Sequence, residues 1–129
     1  MIFGIGVDMV QVSRLEDGLA KFGELYAKRL LAPEEYDAFL ASHDPARFLA
    51  KRFAAKEAFA KAAGTGLRDP VHLRNLAITH TELGQPHFNV HANLQCWLTQ
   101  QGITDHHLSI SDEREYVVAF VVLEKQLEK

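Results

Sequence analysis

This sequence predicts a mixed domain of helices and strands, and three observations carry that expectation. The chain opens on a run rich in Ile and Val, Ile2 to Val10. Ala46 to Ala63 is alanine-rich and free of Gly and Pro, which makes it one long helix. The second half gathers apolar and β-branched residues into short runs and reads largely as strand.

Taken in order, Ile2 to Val10 is a strand interrupted by Gly4 and Gly6. Ser13-Arg-Leu-Glu16 has the capping-box pattern, which places a helix start near Arg14. Gly23 ends or kinks that helix. Pro33 opens another, with Glu34 and Glu35 in its first turn, where the helix dipole favours carboxylates. His43-Asp44-Pro45 breaks the chain before the long helix, and Gly64-Thr65-Gly66 stops it. Leu76 to Thr81 alternates as a strand, Leu83-Gly-Gln-Pro86 has turn chemistry, and Phe88 and Val90 lie on the return strand. Ala92 to Gln101 is a helix stopped by Gly102. Leu108 to Ser111 and Tyr116 to Leu123 form a hairpin about Asp112-Glu-Arg-Glu115. The last strand is apolar on both faces and wants cover on both, which in a small domain points to a second subunit.

At 129 residues the chain fits one domain, 1–129, with enough length for a real core. Its 47% hydrophobic and 24% charged residues exclude a disordered or fibrous chain. Lys+Arg number 14 against 17 Asp+Glu, a net charge of −3 that disfavours a nucleic-acid partner. The single Cys96 forbids an intrachain disulfide and any cysteine-cluster metal site. Asp8 ends the opening apolar run too early for a signal peptide, and no run approaches the roughly 20 residues of a membrane span. The expectation is a cytoplasmic protein with no membrane partner.

Chemistry concentrates on the long helix and on Asp8. At about 100° per residue, Phe48, Leu49, Phe53 and Phe59 spread over a broad arc that contains Arg52 and Lys56. Glu57 and Lys61 lie together just beyond it. A surface helix segregates its charges onto one face; this one is contacted from several sides, with charges at the contacts. Glu57 and Lys61 fit an ordinary i,i+4 ion pair. With Asp8 they fit a second chemistry, since Mg²⁺ is held by one or two carboxylates, waters and substrate phosphate oxygens. Asp8 equally fits a carboxylate accepting backbone N–H bonds at the turn before Ser13. Gly64-Thr65-Gly66 follows a helix and misses the P-loop pattern, so a glycine C-cap competes with a phosphate loop. His87 and His91 do not form a zinc helix motif. Arg14, Lys21 and Lys28, spaced by seven, make either a solvated face or a basic patch for an acidic partner.

Three blocks in order resemble the holo-[acyl-carrier-protein] synthase family of 4′-phosphopantetheinyl transferases. They are Gly4-Ile-Gly-Val-Asp8-Met-Val-Gln-Val-Ser-Arg14-Leu, then Phe48-Leu-Ala-Lys-Arg52-Phe-Ala-Ala-Lys56-Glu57-Ala-Phe-Ala-Lys61-Ala-Ala-Gly-Thr65-Gly66, then His107-Leu-Ser-Ile-Ser through Tyr116 and the last strand. The middle block is the specific one. The resemblance implies an α+β fold, with a small antiparallel sheet against one long helix and several shorter ones. It implies transfer of the phosphopantetheine arm of coenzyme A to a serine of apo-acyl-carrier protein, releasing adenosine 3′,5′-bisphosphate in support of fatty acid biosynthesis. Asp8 and Glu57 would then bind Mg²⁺, Lys61 would sit by the phosphates, and Gly64, Thr65 and Gly66 would lie close to the coenzyme. Glu57 and Lys61 would be catalytic. Arg14 matches the basic face that docks the acidic carrier, with Lys21 and Arg29 matching more loosely. Family members are commonly homotrimers with active sites between subunits. Two departures stand out: Asp112 and Glu113 occupy positions where many members carry a His, and Gln85 replaces a frequent Lys.

Overall fold

The computed structural model describes residues 1–127 and has the expected α+β architecture. Its elements run β1 (Ile2–Gln11), α1 (Val12–Phe22), α2 (Glu24–Leu30), a 3₁₀ turn (Pro33–Glu35), α3 (Tyr36–Leu40), α4 (Pro45–Ala63), a second 3₁₀ turn (Leu73–Asn75), β2 (Leu76–His80), β3 (Pro86–Val90), α5 (Ala92–Gln100), β4 (Ile103–Asp112) and β5 (Tyr116–Lys125). β5 is the middle strand of an antiparallel sheet ordered β1-β5-β4, and β2 and β3 form a separate hairpin. Among the described residues no helix is long and apolar enough to cross a membrane.

Helix α4 is the axis of the fold. Asp44 caps its first turn by accepting from Arg47 N at 3.2 Å. Its alanines Ala54, Ala55, Ala58 and Ala62 are buried, and they let β1 come unusually close. A Cβ on Gly6 would lie 1.9 Å from Ala58 O, and one on Gly4 would lie 1.9 Å from Ala62 O. The two glycines that interrupt the first strand are therefore where strand and helix backbones touch. Because side chains alternate along a strand, Gly4, Gly6, Asp8 and Val10 share the face turned to α4. Ile5, Val7 and Met9 point the other way and are exposed.

The last strand is two-sided as expected. Val117, Ala119, Val121 and Leu123 are fully buried in the core, while Phe120 is 42% exposed beside Val7 in the register. With Ile5 opposite Val122 and Met9 opposite Val118, these residues make an apolar outer face of the sheet.

Several expected boundaries move, each for a local reason. Helix α1 starts at Val12 instead of Arg14, and its N-terminal residue Gln11 makes no side-chain cap. The capping-box serine is not used, because Ser13 already lies inside the helix; Val12 N donates to Glu115 O, from the β4–β5 turn, at 2.8 Å. Gly23, at φ 62°, ends α1, and a further helix α2 follows directly. Pro33 opens a 3₁₀ turn, and the α-helix begins only at Tyr36. Strand β4 begins at Ile103, five residues before the expected Leu108, since Thr104, Asp105 and His107 are exposed and give the sequence a loop-like polarity.

Candidate active site

Asp8 does not end its strand. β1 continues to Gln11, and Asp8 pairs in mid-ladder with Ala119. Its backbone is thereby committed to the sheet and its side chain, 17% exposed, is directed at α4. There Lys61 Nζ donates to Asp8 Oδ1 at 3.0 Å and to Val7 O at 2.9 Å. Lys61 thus reaches across to the strand, and Asp8 takes an ammonium where the turn reading expected backbone N–H groups.

Glu57, one turn before Lys61 and half-buried, faces the same place. Burial pushes its pKa up, and the charge of Asp8 pushes it further, against the opposing pull of Lys61 and Arg14. Two carboxylates and an ammonium, from residues far apart in sequence, therefore converge at the β1–α4 contact. Like charges in a half-buried setting repel, which is a cost that a bound cation relieves.

Arg14 belongs to this neighbourhood. Its guanidinium lies 5.3 Å from the centroid of the Phe53 ring, and its charge acts on Glu57. Lys21, in the last turn of α1, is exposed and stands over Phe22. Arg29 is elsewhere: it lines an open groove of about 520 Å³ with Arg74, His72, Asn75, Asn93, Leu67 and Leu73. Lys28 lies against the ring of Tyr36, so the break at Gly23 removes it from the Arg14–Lys21 row.

Gly64 caps α4 at φ 81°, donating to Lys61 O at 3.0 Å, and Gly66 N donates to Ala60 O at 3.2 Å. The glycine C-cap is realised. These bonds also occupy two of the carbonyls at the negative end of the helix. Thr65 Oγ1 donates to Gly66 O at 2.8 Å. His91 and Asn89 both bind Glu34, at 2.6 and 2.8 Å, and that carboxylate is held below its ordinary pKa in spite of partial burial.

Two networks escape a reading of the sequence. The first is buried: Lys56 donates to Leu30 O at 2.8 Å, Leu73 O at 2.7 Å and Glu35 Oε1 at 2.5 Å, and Arg52 Nε lies 3.4 Å from Glu35 Oε2. The mixing of charges into the apolar arc of α4 was its only signal. The second holds the hairpin turn: Arg47 donates to Asp112 Oδ2 at 3.0 Å and to the carbonyls of Glu113 and Arg114, each at 2.7 Å. Lys51 joins Asp112 at 3.5 Å. Asp112, at a position where the resemblance leads one to expect a His, is thus a partner for two cations.

Residues 4–121 match the family model described as the 4′-phosphopantetheinyl transferase superfamily. The holo-[acyl-carrier-protein] synthase of Laribacter hongkongensis is 58% identical over 124 residues, spanning 96% of this chain and 99% of that protein. Among solved structures, the holo-[acyl-carrier-protein] synthase of Neisseria meningitidis superposes with a TM-score of 0.94 at 51% identity, covering 97% of this chain and all, 100%, of that one. The Bacillus anthracis synthase, solved in complex with CoA (3′,5′-ADP), superposes with a TM-score of 0.80 at 34% identity, over 98% and 99% of the two chains.

Proposed function

The chain belongs to the 4′-phosphopantetheinyl transferase superfamily, and from this premise we infer that it moves the phosphopantetheine arm of coenzyme A onto a serine of apo-acyl-carrier protein. The observation that carries the site is the convergence of Asp8, Glu57 and Lys61 where β1 meets α4. The near full-length similarity to holo-[acyl-carrier-protein] synthases supports the reaction, and the Bacillus anthracis complex supports coenzyme A as the donor.

In this reading Asp8 and Glu57 hold Mg²⁺. The donor set fits: hard oxygen ligands, two of them, in a half-buried place, with remaining positions for water and phosphate oxygens. The ion, when bound, neutralises charge on the diphosphate of the coenzyme. Phosphoryl transfer asks mainly for positioning and charge compensation, and the residues of the chain supply both. Lys61 places a point charge beside the phosphates, anchored by the Val7 carbonyl. The Gly64-Thr65-Gly66 turn, with its helix-end carbonyls engaged, approaches the coenzyme. The serine oxygen bonds to the phosphorus that carries the pantetheine. The bond from that phosphorus to the bridging oxygen breaks, and adenosine 3′,5′-bisphosphate departs with the electron pair. Glu57, directly or through a water, receives the serine proton.

Arg14 and Lys21 dock the acidic carrier, with Arg29 as an outlying contact. One domain carries these functions. The apolar outer face formed by Ile5, Val7, Met9, Val118, Phe120 and Val122 supports a homotrimer with active sites between subunits. The protein works in the cytoplasm and supplies carrier for fatty acid biosynthesis.

The test is intact-protein mass spectrometry of apo-acyl-carrier protein after incubation with this protein, coenzyme A and Mg²⁺. The expected result is a gain of one phosphopantetheine, abolished by a chelator. An unmodified carrier, or free phosphopantetheine released without any carrier adduct, overturns the reading.

A further inference from the structure

The structure assigns a positioning role to the buried pair Lys56 and Glu35: they set the rotation of α4 about its axis and thereby aim Glu57 at Asp8. The inference rests on the reading of Asp8 and Glu57 as a cation site.

Lys56 is 0% exposed, and all three N–H directions of its ammonium are taken, by Leu30 O, Leu73 O and Glu35 Oε1. Glu35, 3% exposed, is used at both oxygens. Oε1 also accepts Ala32 N at 2.9 Å, and Oε2 accepts Ile78 N at 3.0 Å with Arg52 Nε at 3.4 Å. Arg52 then donates to Ile78 O at 3.0 Å. One ammonium and one carboxylate thus tie α4 to the end of α2, both 3₁₀ turns and strand β2.

These bonds are directional. Leu49 and Phe59 also bury themselves on α4, but the face it turns to β1 is alanine, and on that face apolar contact is not oriented and resists a roll of a few degrees only weakly. A fully coordinated ammonium is not free to roll. Glu57 follows Lys56 by one residue, so it projects about 100° further round the same cylinder. Fixing Lys56 toward the 3₁₀ turns fixes Glu57 toward β1. Buried ion pairs are in general poor sources of net stability, since desolvation offsets their attraction. A role in orientation accounts for a pair whose burial carries that cost.

The variant Glu35→Gln with Lys56→Met tests this: it removes both members of the pair together, so neither is left buried without the other, and Arg52 keeps its bond to Ile78 O. Its folding is checked by circular dichroism, and assays run well below its melting midpoint. The readouts are the affinity for Mn²⁺, as a probe of the cation site, measured by electron paramagnetic resonance, and the separate kcat and carrier KM. The expected result is a folded protein whose Mn²⁺ affinity and kcat each fall at least 10-fold, while the carrier KM stays within twofold because the docking face on α1 is untouched. A folded double variant with wild-type Mn²⁺ affinity and kcat overturns the proposal and leaves the pair a purely structural one. If the double variant does not fold, Lys56→Arg keeps the charge but moves the donors. A threefold or greater weakening of Mn²⁺ binding then supports the proposal, and wild-type binding overturns it. Absence of Mn²⁺ binding by the wild-type protein is a different failure. It refutes the Asp8–Glu57 cation site itself, and the inference falls with it.

Discussion

Replacing Gly6 with alanine probes the contact on which the whole site depends. The added Cβ would sit 1.9 Å from Ala58 O and 2.7 Å from Ala62 N, whereas ordinary contact begins near 3.4 Å. Strand β1 must therefore withdraw from α4 by about 1.5 Å, and no side chain can yield in its place because the opposing atoms are backbone. For the same reason a smaller residue at position 58 does not rescue the variant. Overpacking of this kind costs about 1–3 kcal/mol. For a domain of this length that lowers the melting temperature by roughly 5–10 °C. Asp8 is two residues along on the same face, so it moves with the strand, away from Lys61 and Glu57. Misplacement by about 1 Å at a reacting centre costs on the order of 100-fold in rate. Thermal melting by circular dichroism and carrier turnover by mass spectrometry measure the two losses. Gly102→Ala is the control: it strains a residue at φ 76° with open space around it, away from Asp8, and turnover should persist. If Gly6→Ala melts within about 2 °C of the wild type and keeps about half its turnover, the claim that backbone proximity positions Asp8 is wrong.

Four further substitutions test the same geometry. Burial and the charge of Asp8 hold the Glu57 pKa above its ordinary value, so the folded chain binds that proton more tightly than the unfolded chain does. Ionised Glu57 then costs stability above the folded pKa and costs nothing below the unfolded one. Glu57→Gln should raise the melting temperature of the metal-free protein at neutral pH, with the gain vanishing as pH falls through the ordinary glutamate range, while Mn²⁺ binding and transfer are lost; a pH-independent change in melting would refute this assignment of the shift. Lys21→Glu should raise the carrier KM by roughly 1.5–5-fold, the scale of one exposed charge pair, and reduce its salt sensitivity, leaving kcat alone. Arg14→Glu should also lower kcat, because Arg14 acts on Glu57; steady-state kinetics separate the two patterns. On the proposed trimer, whose contact the apolar outer face would supply, Phe120→Asp should give a monomer in sedimentation, since it puts a charge beside Val7; an unchanged sedimentation coefficient would refute that contact.

How far the sequence foretold this can be judged residue by residue. The long helix, the first strand and the β2–β3 hairpin were legible because alanine content, β-branching and turn chemistry act within a few residues. The partner of Lys61 was not. Helix periodicity alone offers Glu57, one turn away, and the structure gives Asp8 because Gly4 and Gly6 bring a distant strand within reach. Those glycines were visible as interruptions, and close approach of another backbone is one of the things such interruptions signal. Ser13 does not cap because the helix starts one residue before it, at Val12, whose N–H goes to Glu115 O more than a hundred residues on. By local sequence Glu35 is a carboxylate at a helix start, in harmony with the dipole. Its burial against Lys56, 21 residues further on, is a tertiary fact that no local pattern encodes.

Two constraints of different character therefore meet at Asp8 and Glu57. The glycine–alanine contact governs how far β1 stands from α4, through steric exclusion that has no angular preference. The Glu35–Lys56 network governs how α4 is turned, through directional bonds that hardly resist translation of β1. Both coordinates feed the same separation between two carboxylates. Losses from spoiling each should not add. Lys56 and Ala58 stand two residues apart on α4, close enough for the two changes to couple in stability, and once the carboxylates no longer meet, a second displacement has little turnover left to remove.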